Sequence, residues 1–269
     1  MTSGPLGPPP ILRDKHYDAP SAFTPESLLR EARRQKNVPH APIPQVCVLD
    51  PDGDIVQHLR AAGRTRRTEG WACYHSEMDS FEQGGREYGI VGCAVGAPYA
   101  VLLAEQMFAS GCRLLISITS SGQIRALRPP PYFILIERAL RDEGTSCHYL
   151  PPSDYAEADP ALIVTIAEAL SRAGEPVERG TTWTTDAPYR ETEEAIEAAR
   201  ARGVLAVEME AAALYAFARA RGKAVLCFAH VTNQMGQTGD FEKGEANGAV
   251  ASLGLIDAVG GALLGKQPS

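Results

Sequence analysis

The sequence predicts an α/β fold: one domain with a central, twisted sheet of parallel or mixed strands and helices on both faces. Short apolar runs typical of buried strands alternate along the chain with longer segments that have helical periodicity. No interior linker or internal repeat divides these segments, and 269 residues are enough for one large α/β domain. In such folds, ligands bind where strands end and helices begin.

The first 44 residues are predicted to form a Pro-rich N-terminal arm with a short helix. Residues 1–20 contain many prolines and glycines, which favour a disordered or loosely draped chain. Thr24 then supplies an N-cap and Pro25 the first helical position, so a charged helix is expected up to about Lys36. Residues 45–269 are expected to form the main domain.

Apolar runs and turn residues predict the remaining elements. Gly84 and Gly85 lie between two strand-like segments, 71–81 and 86–95, which predicts a β-hairpin. Further strands are predicted at 46–49, 114–118, 177–185, 204–207 and 224–231, with another element at 132–140. Helices are predicted at 97–110, 160–172, 191–202, 209–221 and from about 242 to 264.

Composition and charge argue against several classes of partner. The formal net charge of −7 disfavours binding to nucleic acid or to an anionic membrane, because both require a basic face. No apolar run is predicted to reach the roughly 18 residues that span a bilayer. The N-terminus lacks the pattern of a signal peptide, so a cytoplasmic location is expected. The six cysteines are scattered singly, which predicts free thiols, and no metal-binding motif is present.

Residues 204–214 carry the strongest functional signal. An apolar strand there leads directly into a helix, and Glu208 and Glu210 bracket Met209 at the junction. One explanation is structural, because carboxylates in a first helical turn interact favourably with the helix dipole. The other is a ligand, because carboxylates at the end of a buried strand need donors and sugar hydroxyls are suitable. The pattern alone leaves both explanations open.

The run Val-Glu-Met-Glu-Ala-Ala-Ala-Leu at 207–214 resembles the ribose-binding signature of the nucleoside phosphorylase superfamily, of the uridine and purine phosphorylase type. Three other segments are similar to that family in order and spacing: Val-Gly-Ala-Pro at 95–98, Ile-Thr-Ser-Ser-Gly at 118–122 and Val-Thr-Asn at 231–233. The resemblance covers roughly residues 45–265. It implies a nucleoside phosphorylase-like catalytic domain that cleaves the N-glycosidic bond of a nucleoside.

The resemblance also implies the role of each matching residue. Ribose is expected to be held by Glu208, Met209 and Glu210, with Glu210 also catalytic. Phosphate is expected at a polar turn and its neighbours: Gly96, Thr119, Ser120, Ser121 and Gly122. The base is expected to contact Thr182, Trp183, Arg190, Val231 and Asn233, with Arg190 the second catalytic residue. No metal or organic cofactor is implied, and inorganic phosphate is the possible co-substrate.

The phosphate side departs from the family pattern. Family members usually carry Gly-Asp-Pro-x-Arg, whose glycine and arginine bind phosphate, but Leu49 and Gly53 stand at those two positions here. A second phosphate arginine is replaced by Ser117. Each lost charge-assisted contact removes about 1.5–3 kcal/mol, so phosphorolysis is in question. The candidate replacements from an adjoining subunit are Arg64, Arg66 and Arg67.

The base side departs from the purine-type enzymes as well. Those enzymes carry Ser-Asp where this chain has Thr232-Asn233, and an amide cannot act as a titratable acid. A pyrimidine nucleoside is therefore favoured. Three hypotheses stay open: phosphorolysis of the uridine phosphorylase kind, hydrolysis by a phosphate-independent nucleosidase, and nucleoside binding without catalysis. The resemblance further implies a homo-oligomer, either a dimer or a hexamer.

Overall fold

The structure is a computed structural model that describes residues 7–235 and 241–264. The α-helices of this part of the chain are α1 (Pro25–Lys36), α2 (Asp54–Ala61), α3 (Ala97–Ala109), α4 (Pro160–Ala173), α5 (Glu193–Ala201), α6 (Ala211–Arg221) and α7 (Ala249–Leu264). The strands are β1 (Val46–Asp50), β2 (Thr65–Arg67), β3 (Asp79–Gln83), β4 (Arg86–Gly92), β5 (Leu114–Gln123), β6 (Tyr132–Asp142), β7 (Tyr155–Glu157), β8 (Val177–Thr185), β9 (Ala206–Glu208) and β10 (Ala224–Gln234).

The strands form one mixed sheet in the order β10-β6-β8-β9-β5-β1-β4-β3-β2, with β7 beside β6. Strand β10 also pairs with β5, so five strands close into a distorted barrel and β1, β4, β3 and β2 extend from it. Helices α3 and α6 pack on each other, as do α4 and α7. The predicted α/β fold with a mixed sheet and flanking helices is confirmed, and its closure into a barrel is an addition to the prediction.

The core follows from the apolar runs of the sequence. Strand β1 is buried along its whole length, as expected for a strand covered on both faces. Helix α6 is equally buried over its first seven residues, because Ala211, Ala212 and Ala213 permit close packing against α3 and β6. This packing fixes the junction between β9 and α6 deep inside the protein.

Helix α2 was not predicted, and a buried aspartate explains it. Asp50 ends β1 and accepts hydrogen bonds from the backbone N–H groups of Gly53 at 3.2 Å and Val56 at 2.9 Å. These bonds satisfy two of the unpaired N–H groups at the start of the helix. Burial raises the pKa of Asp50 to about 7, with smaller contributions from the charges of Asp52 and Asp54.

Several predicted boundaries are wrong, among them those of the hairpin, whose strands are Asp79–Gln83 and Arg86–Gly92 instead of 71–81 and 86–95. Strand β5 continues to Gln123, so residues 119–122 are extended and do not form a turn. Helix α7 begins at Ala249 instead of near residue 242, because Ala246, Asn247 and Gly248 all have positive φ angles that interrupt a right-handed helix. The first residues of the predicted helix, 242–244, lie against the barrel instead, where the Glu242 N–H donates to the Thr232 carbonyl at 2.7 Å.

One described segment, Glu245–Leu263, is long and apolar enough by length and composition to cross a membrane. The sequence had predicted no such run. In the structure, Leu253, Ile256 and Val259 of this segment are buried, and α7 packs against α2 and α4. Its apolar composition is therefore accounted for by its place in the core.

The N-terminal arm contacts the domain. Residues 1–6 lie outside the described part, and the 3₁₀ turn Pro10–Leu12 rests near a second one, Thr145–His148. Lys15 Nζ lies 3.1 Å from His148 Nδ1, and the Tyr17 hydroxyl donates to the Cys147 carbonyl at 3.5 Å. The described part of the arm is therefore attached to the domain by specific polar contacts.

Candidate active site

The candidate site lies where β9 leads into α6. Glu208 ends β9, and Glu210 stands at the N-cap of α6. Gly96, at the N-cap of α3, reaches the same point through its N–H group, and Gly122 near the end of β5 pairs with Val207 of β9. The site thus gathers strand ends and helix starts, where ligands bind in α/β folds.

Glu208 is satisfied by the protein itself. Its Oε1 accepts hydrogen bonds from the hydroxyls of Thr182 at 3.0 Å and Thr184 at 2.5 Å. Its Oε2 accepts from the backbone N–H groups of Glu210 and Ala211, both at 2.7 Å. A carboxylate offers about four lone-pair positions, and these donors use that number. These bonds give Glu208 a structural role, and its predicted contact with ribose stays a prediction.

Glu210 is buried but only half satisfied. Its Oε1 accepts a hydrogen bond from the Gly96 N–H at 2.6 Å, whereas its Oε2 is buried without a hydrogen-bond partner among the described residues. Burial, with a smaller contribution from the charge of Glu208, raises the pKa of Glu210 to about 8. A buried carboxylate oxygen is costly to leave unpaired, so Oε2 is the atom best suited to accept from a ligand.

Met209 is the accessible member of the segment. It is half-buried, while Glu208 and Glu210 on either side are 3% and 1% exposed. The segment therefore offers an apolar surface next to the oxygen of Glu210 that lacks a donor. A sugar ring has an apolar face and hydroxyl donors, so Met209 could pack against the face while the oxygen of Glu210 accepts from a hydroxyl.

Residues 119–122 do not form the anion-binding turn that was predicted. Because they are part of strand β5, successive side chains point to opposite faces. The Thr119 hydroxyl is close enough to Glu210 to favour its ionised form, and the buried Ser121 hydroxyl has no hydrogen-bond partner among the described residues. A Cβ atom at Gly122 would lie 2.1 Å from Met235 Sδ, so the methionine covers that position.

Ser120 is engaged by an acidic residue. Its N–H donates to Asp52 Oδ2 and its hydroxyl donates to Asp52 Oδ1, both at 2.9 Å. The two donors predicted for phosphate are thus already bound to a carboxylate of the same chain. Sequence analysis did not foresee this contact, because residues 52 and 120 are distant in sequence.

Two of the predicted base contacts are part of the core. Thr182 is fully buried and donates to Glu208, while Trp183 donates from Nε1 to Asp142 Oδ2 at 2.9 Å. The Trp183 ring packs in a small apolar cluster with Ile124, Ile196, Ala199, Val204 and Val207. Both side chains have partners within the protein, and their predicted contacts with the base stay predictions.

The other predicted base residues are placed differently from one another. Arg190 is exposed at the end of the 3₁₀ turn Pro188–Arg190; its N–H donates to the Ala187 carbonyl at 2.8 Å, and its side chain forms no hydrogen bond or ion pair with a described residue. Val231 is buried in β10, and Asn233 is half-buried beside Gly122 of β5. Val231 and Asn233 thus lie at the same end of the barrel as Glu210, and Arg190 stands outside.

Sequence analysis missed a carboxamide network near Asn233. Gln123 accepts from the Tyr132 hydroxyl and donates to Gln234 Oε1, both at 2.8 Å. Only the ends of β5 and β10, once paired, bring these side chains together. Among residues 7–235 and 241–264, no group of three or more His, Cys, Asp or Glu side chains is arranged to hold a metal ion.

A model of the phosphorylase superfamily matches residues 45–259 of this sequence. The chain belongs to the phosphorylase superfamily. The resemblance inferred from the ribose-binding signature is thereby confirmed at the level of the family.

Curated members of the phosphorylase superfamily are similar to this chain over part of their length. A DeoD-type purine nucleoside phosphorylase of Colwellia psychrerythraea is 28% identical over 158 residues, 58% of this chain and 67% of the relative. One from Myxococcus xanthus is 31% identical, over 53% of this chain and 60% of the relative. A uridine phosphorylase of Thermococcus kodakarensis is 28% identical, over 57% of this chain and 62% of the relative. The chain thus matches about two thirds or less of each relative's length.

Proposed function

We propose that this chain binds a nucleoside and cleaves its N-glycosidic bond. The observation that carries this proposal is Oε2 of Glu210, a buried carboxylate oxygen without a hydrogen-bond partner in the described structure. A ribose hydroxyl supplies the donor that this oxygen lacks, and half-buried Met209 packs against the apolar side of the sugar. Membership of the phosphorylase superfamily supports the proposal, as do relatives named for purine nucleosides and uridine.

The chemistry follows from the charge that develops during cleavage. As the bond from C1′ to the base nitrogen breaks, positive charge grows on the sugar and the electron pair leaves with the base. The ionised form of Glu210, which predominates above its pKa of about 8, stabilises the sugar through its hydroxyls, and Arg190 is the proposed donor to the base. Arg190 is exposed, so this role requires an inward movement of the turn Pro188–Arg190. No metal or organic cofactor takes part in this scheme.

Two nucleophiles are candidates. Phosphate would yield ribose 1-phosphate, as in phosphorolysis of the uridine phosphorylase kind. In hydrolysis, the oxygen of water forms the bond to C1′, and one water proton is transferred to the departing base. Two observations favour hydrolysis. Asp52 already accepts the hydrogen bonds of the Ser120 N–H and hydroxyl, and Gly53 and Ser117 stand at the two positions where the family pattern has arginine.

The arginines proposed as replacements do not reach this site within one chain. Arg64 and Arg66 contact Gln83 and Glu87, and Arg67 pairs with Glu77. Strand β2 lies four strands away from β5, which is about 19 Å at the usual strand spacing. They reach a phosphate only as residues of an adjoining subunit. A homo-oligomer, dimer or hexamer, is proposed from the resemblance to the family alone.

The proposed base is a pyrimidine. Asn233 lies where an acidic residue would be needed to protonate a purine, and an amide donates without titrating. The neighbouring amides of Gln123 and Gln234 add further donors and acceptors at the same end of the barrel. Uridine is therefore the first nucleoside to test, with inosine as the purine comparison.

The test is release of free base from uridine and from inosine, each with and without phosphate, followed by chromatography. Release that requires phosphate indicates phosphorolysis, and release without it indicates hydrolysis. Saturable nucleoside binding without any release would support a binding protein. Glu210→Ala is expected to abolish nucleoside binding, and unchanged affinity in this variant would contradict the proposed site.

A further inference from the structure

Ser120 offers two hydrogen-bond donors that could bind an anion, and the carboxylate of Asp52 already occupies both of them. The N–H and the hydroxyl of Ser120 each donate to a different oxygen of the Asp52 carboxylate, both at 2.9 Å. Two donors aimed at one carboxylate form strong, charge-assisted hydrogen bonds. A free oxyanion would have to displace Asp52 to obtain the same donors.

These donors lie on β5, the strand that also carries Thr119 and Gly122 at the proposed site. Ser120 directly follows Thr119, whose hydroxyl is close enough to Glu210 to influence its ionisation. Ser120 is also paired with His230 of β10, near the end of the barrel where Asn233 lies. A nucleophile that uses the donors of Ser120 must therefore displace the carboxylate of Asp52.

The surrounding charges do not favour an anion. Asp52 and Asp54 are two carboxylates, and the nearest cation, Lys243, lies 2.6 Å from Asp54 Oδ2. Burial lowers the pKa of His230 to about 4, so this imidazole is neutral at pH 7 and adds no positive charge. Asp50, whose pKa is raised to about 7, adds a third carboxyl group nearby, so the carboxyl groups here outnumber the one ammonium of Lys243.

We propose that Asp52 is a specificity-determining residue, which excludes phosphate and other oxyanions from the donors of Ser120 and leaves water as the nucleophile. This inference rests on the proposed function, because it names the acceptor of the ribosyl group. The carboxylate acts by occupying both donors and by repelling a second anion. The reaction assigned to this chain is therefore hydrolysis of the nucleoside.

The test measures binding of inorganic phosphate alone, so it does not depend on the nucleoside. Isothermal titration at constant ionic strength compares the wild-type protein with Asp52→Asn and Asp52→Ser. Glu82→Gln is the control, because Glu82 is an exposed carboxylate on β3 and its loss changes the net charge equally. Thermal unfolding of each variant verifies that it is folded, and the near-isosteric Asp52→Asn serves if Asp52→Ser fails to fold.

The Asp52 variants are expected to bind phosphate about ten- to a hundredfold more tightly than wild type and Glu82→Gln, in which binding is weak or below detection. Phosphate binding to the wild type that matches the variants would overturn the proposal, and so would a lack of binding in every protein. Base release from uridine is measured separately. A protein that releases no base yet shows the expected phosphate pattern contradicts the proposed function without contradicting the role of Asp52.

Discussion

Glu208 and Glu210 stand two positions apart, yet the protein surrounds them differently. Glu208 receives four hydrogen bonds from Thr182, Thr184 and two backbone N–H groups. Glu210 receives one from Gly96 and keeps a buried oxygen without a partner. Replacing one or the other should therefore affect different properties of the protein.

Glu208→Gln is expected to lower the free energy of unfolding by about 2 kcal/mol or more, because an amide nitrogen would face backbone N–H donors. Glu210→Gln is expected to leave stability nearly unchanged at neutral pH, because a pKa of about 8 keeps this carboxyl mostly protonated and an amide is a neutral replacement of similar shape. Denaturant unfolding of both variants measures the difference. A larger loss in Glu210→Gln than in Glu208→Gln would contradict these roles.

The raised pKa of Glu210 predicts a pH dependence. Its value of about 8 exceeds the ordinary value of 4.5 because of burial and the charge of Glu208. A group whose pKa is higher in the folded than in the unfolded state contributes its full stabilisation when the pH is below its pKa in the unfolded state. That stabilisation is lost as the pH rises through its pKa in the folded state. The unliganded protein should therefore lose stability between about pH 4.5 and 8.

The measurement is the melting temperature of wild type and Glu210→Gln across this pH range. Asp50, with a pKa of about 7, changes in the same direction in both proteins, so the difference between them isolates Glu210. Parallel curves for the two proteins would show that Glu210 does not titrate in this range.

At the scale of elements, periodicity predicted most helices and strands, but contacts distant in sequence determined where several begin and end. Helix α2 depends on buried Asp50, and β5 extends to Gln123 because β10 and β9 pair with its end. The same limit applies to the site. The sequence predicted a strand at 177–185, but the inward direction of Thr182 and Trp183 depends on Glu208 and Asp142.

The segment before α7 is predicted to depend on a glycine. Gly248 has a φ of +82°, and a Cβ atom there would lie 2.2 Å from Cε1 of His230, whose ring stacks on Phe133 at 4.5 Å. An alanine in this left-handed backbone conformation alone costs roughly 1–2 kcal/mol. Gly248→Ala is expected to destabilise the protein by clearly more than that, because its Cβ also collides with the His230 ring.

Gly203→Ala is the matched control, since Gly203 has a φ of +77° and no atom within 4 Å of the added Cβ. Denaturant unfolding compares the two variants. Equal losses of stability would show that the His230 ring moves aside without cost.

At the scale of the whole molecule, the N-terminal arm connects to the site through one loop. Ile11 lies against Gly144, whose N–H donates to Asp186 at 2.9 Å, and Asp186 precedes the turn that carries Arg190. The arm also borders, with α3, an open pocket of about 620 Å³. The arm is therefore expected to support the turn Pro188–Arg190 from a distance.

A variant without residues 1–20 is expected to fold, with a loss of about 1–2 kcal/mol in stability and weaker nucleoside binding. Thermal unfolding and isothermal titration with uridine measure the two effects. Ile11→Ala in the full chain is the smaller control change. Unaltered stability and affinity after truncation would show that the arm does not support the turn.

Closure of five strands into a barrel also affects how the protein behaves towards other chains. Strands at the edge of a sheet present unpaired backbone groups, which are templates for aggregation. In the described structure the edges lie at β2 and β7, each three residues long. Strand β2 contains Arg66 and Arg67, whose charges oppose the addition of a foreign strand. The two edge strands of this ten-stranded sheet are therefore short, and one of them is basic, which protects the sheet from edge-to-edge aggregation.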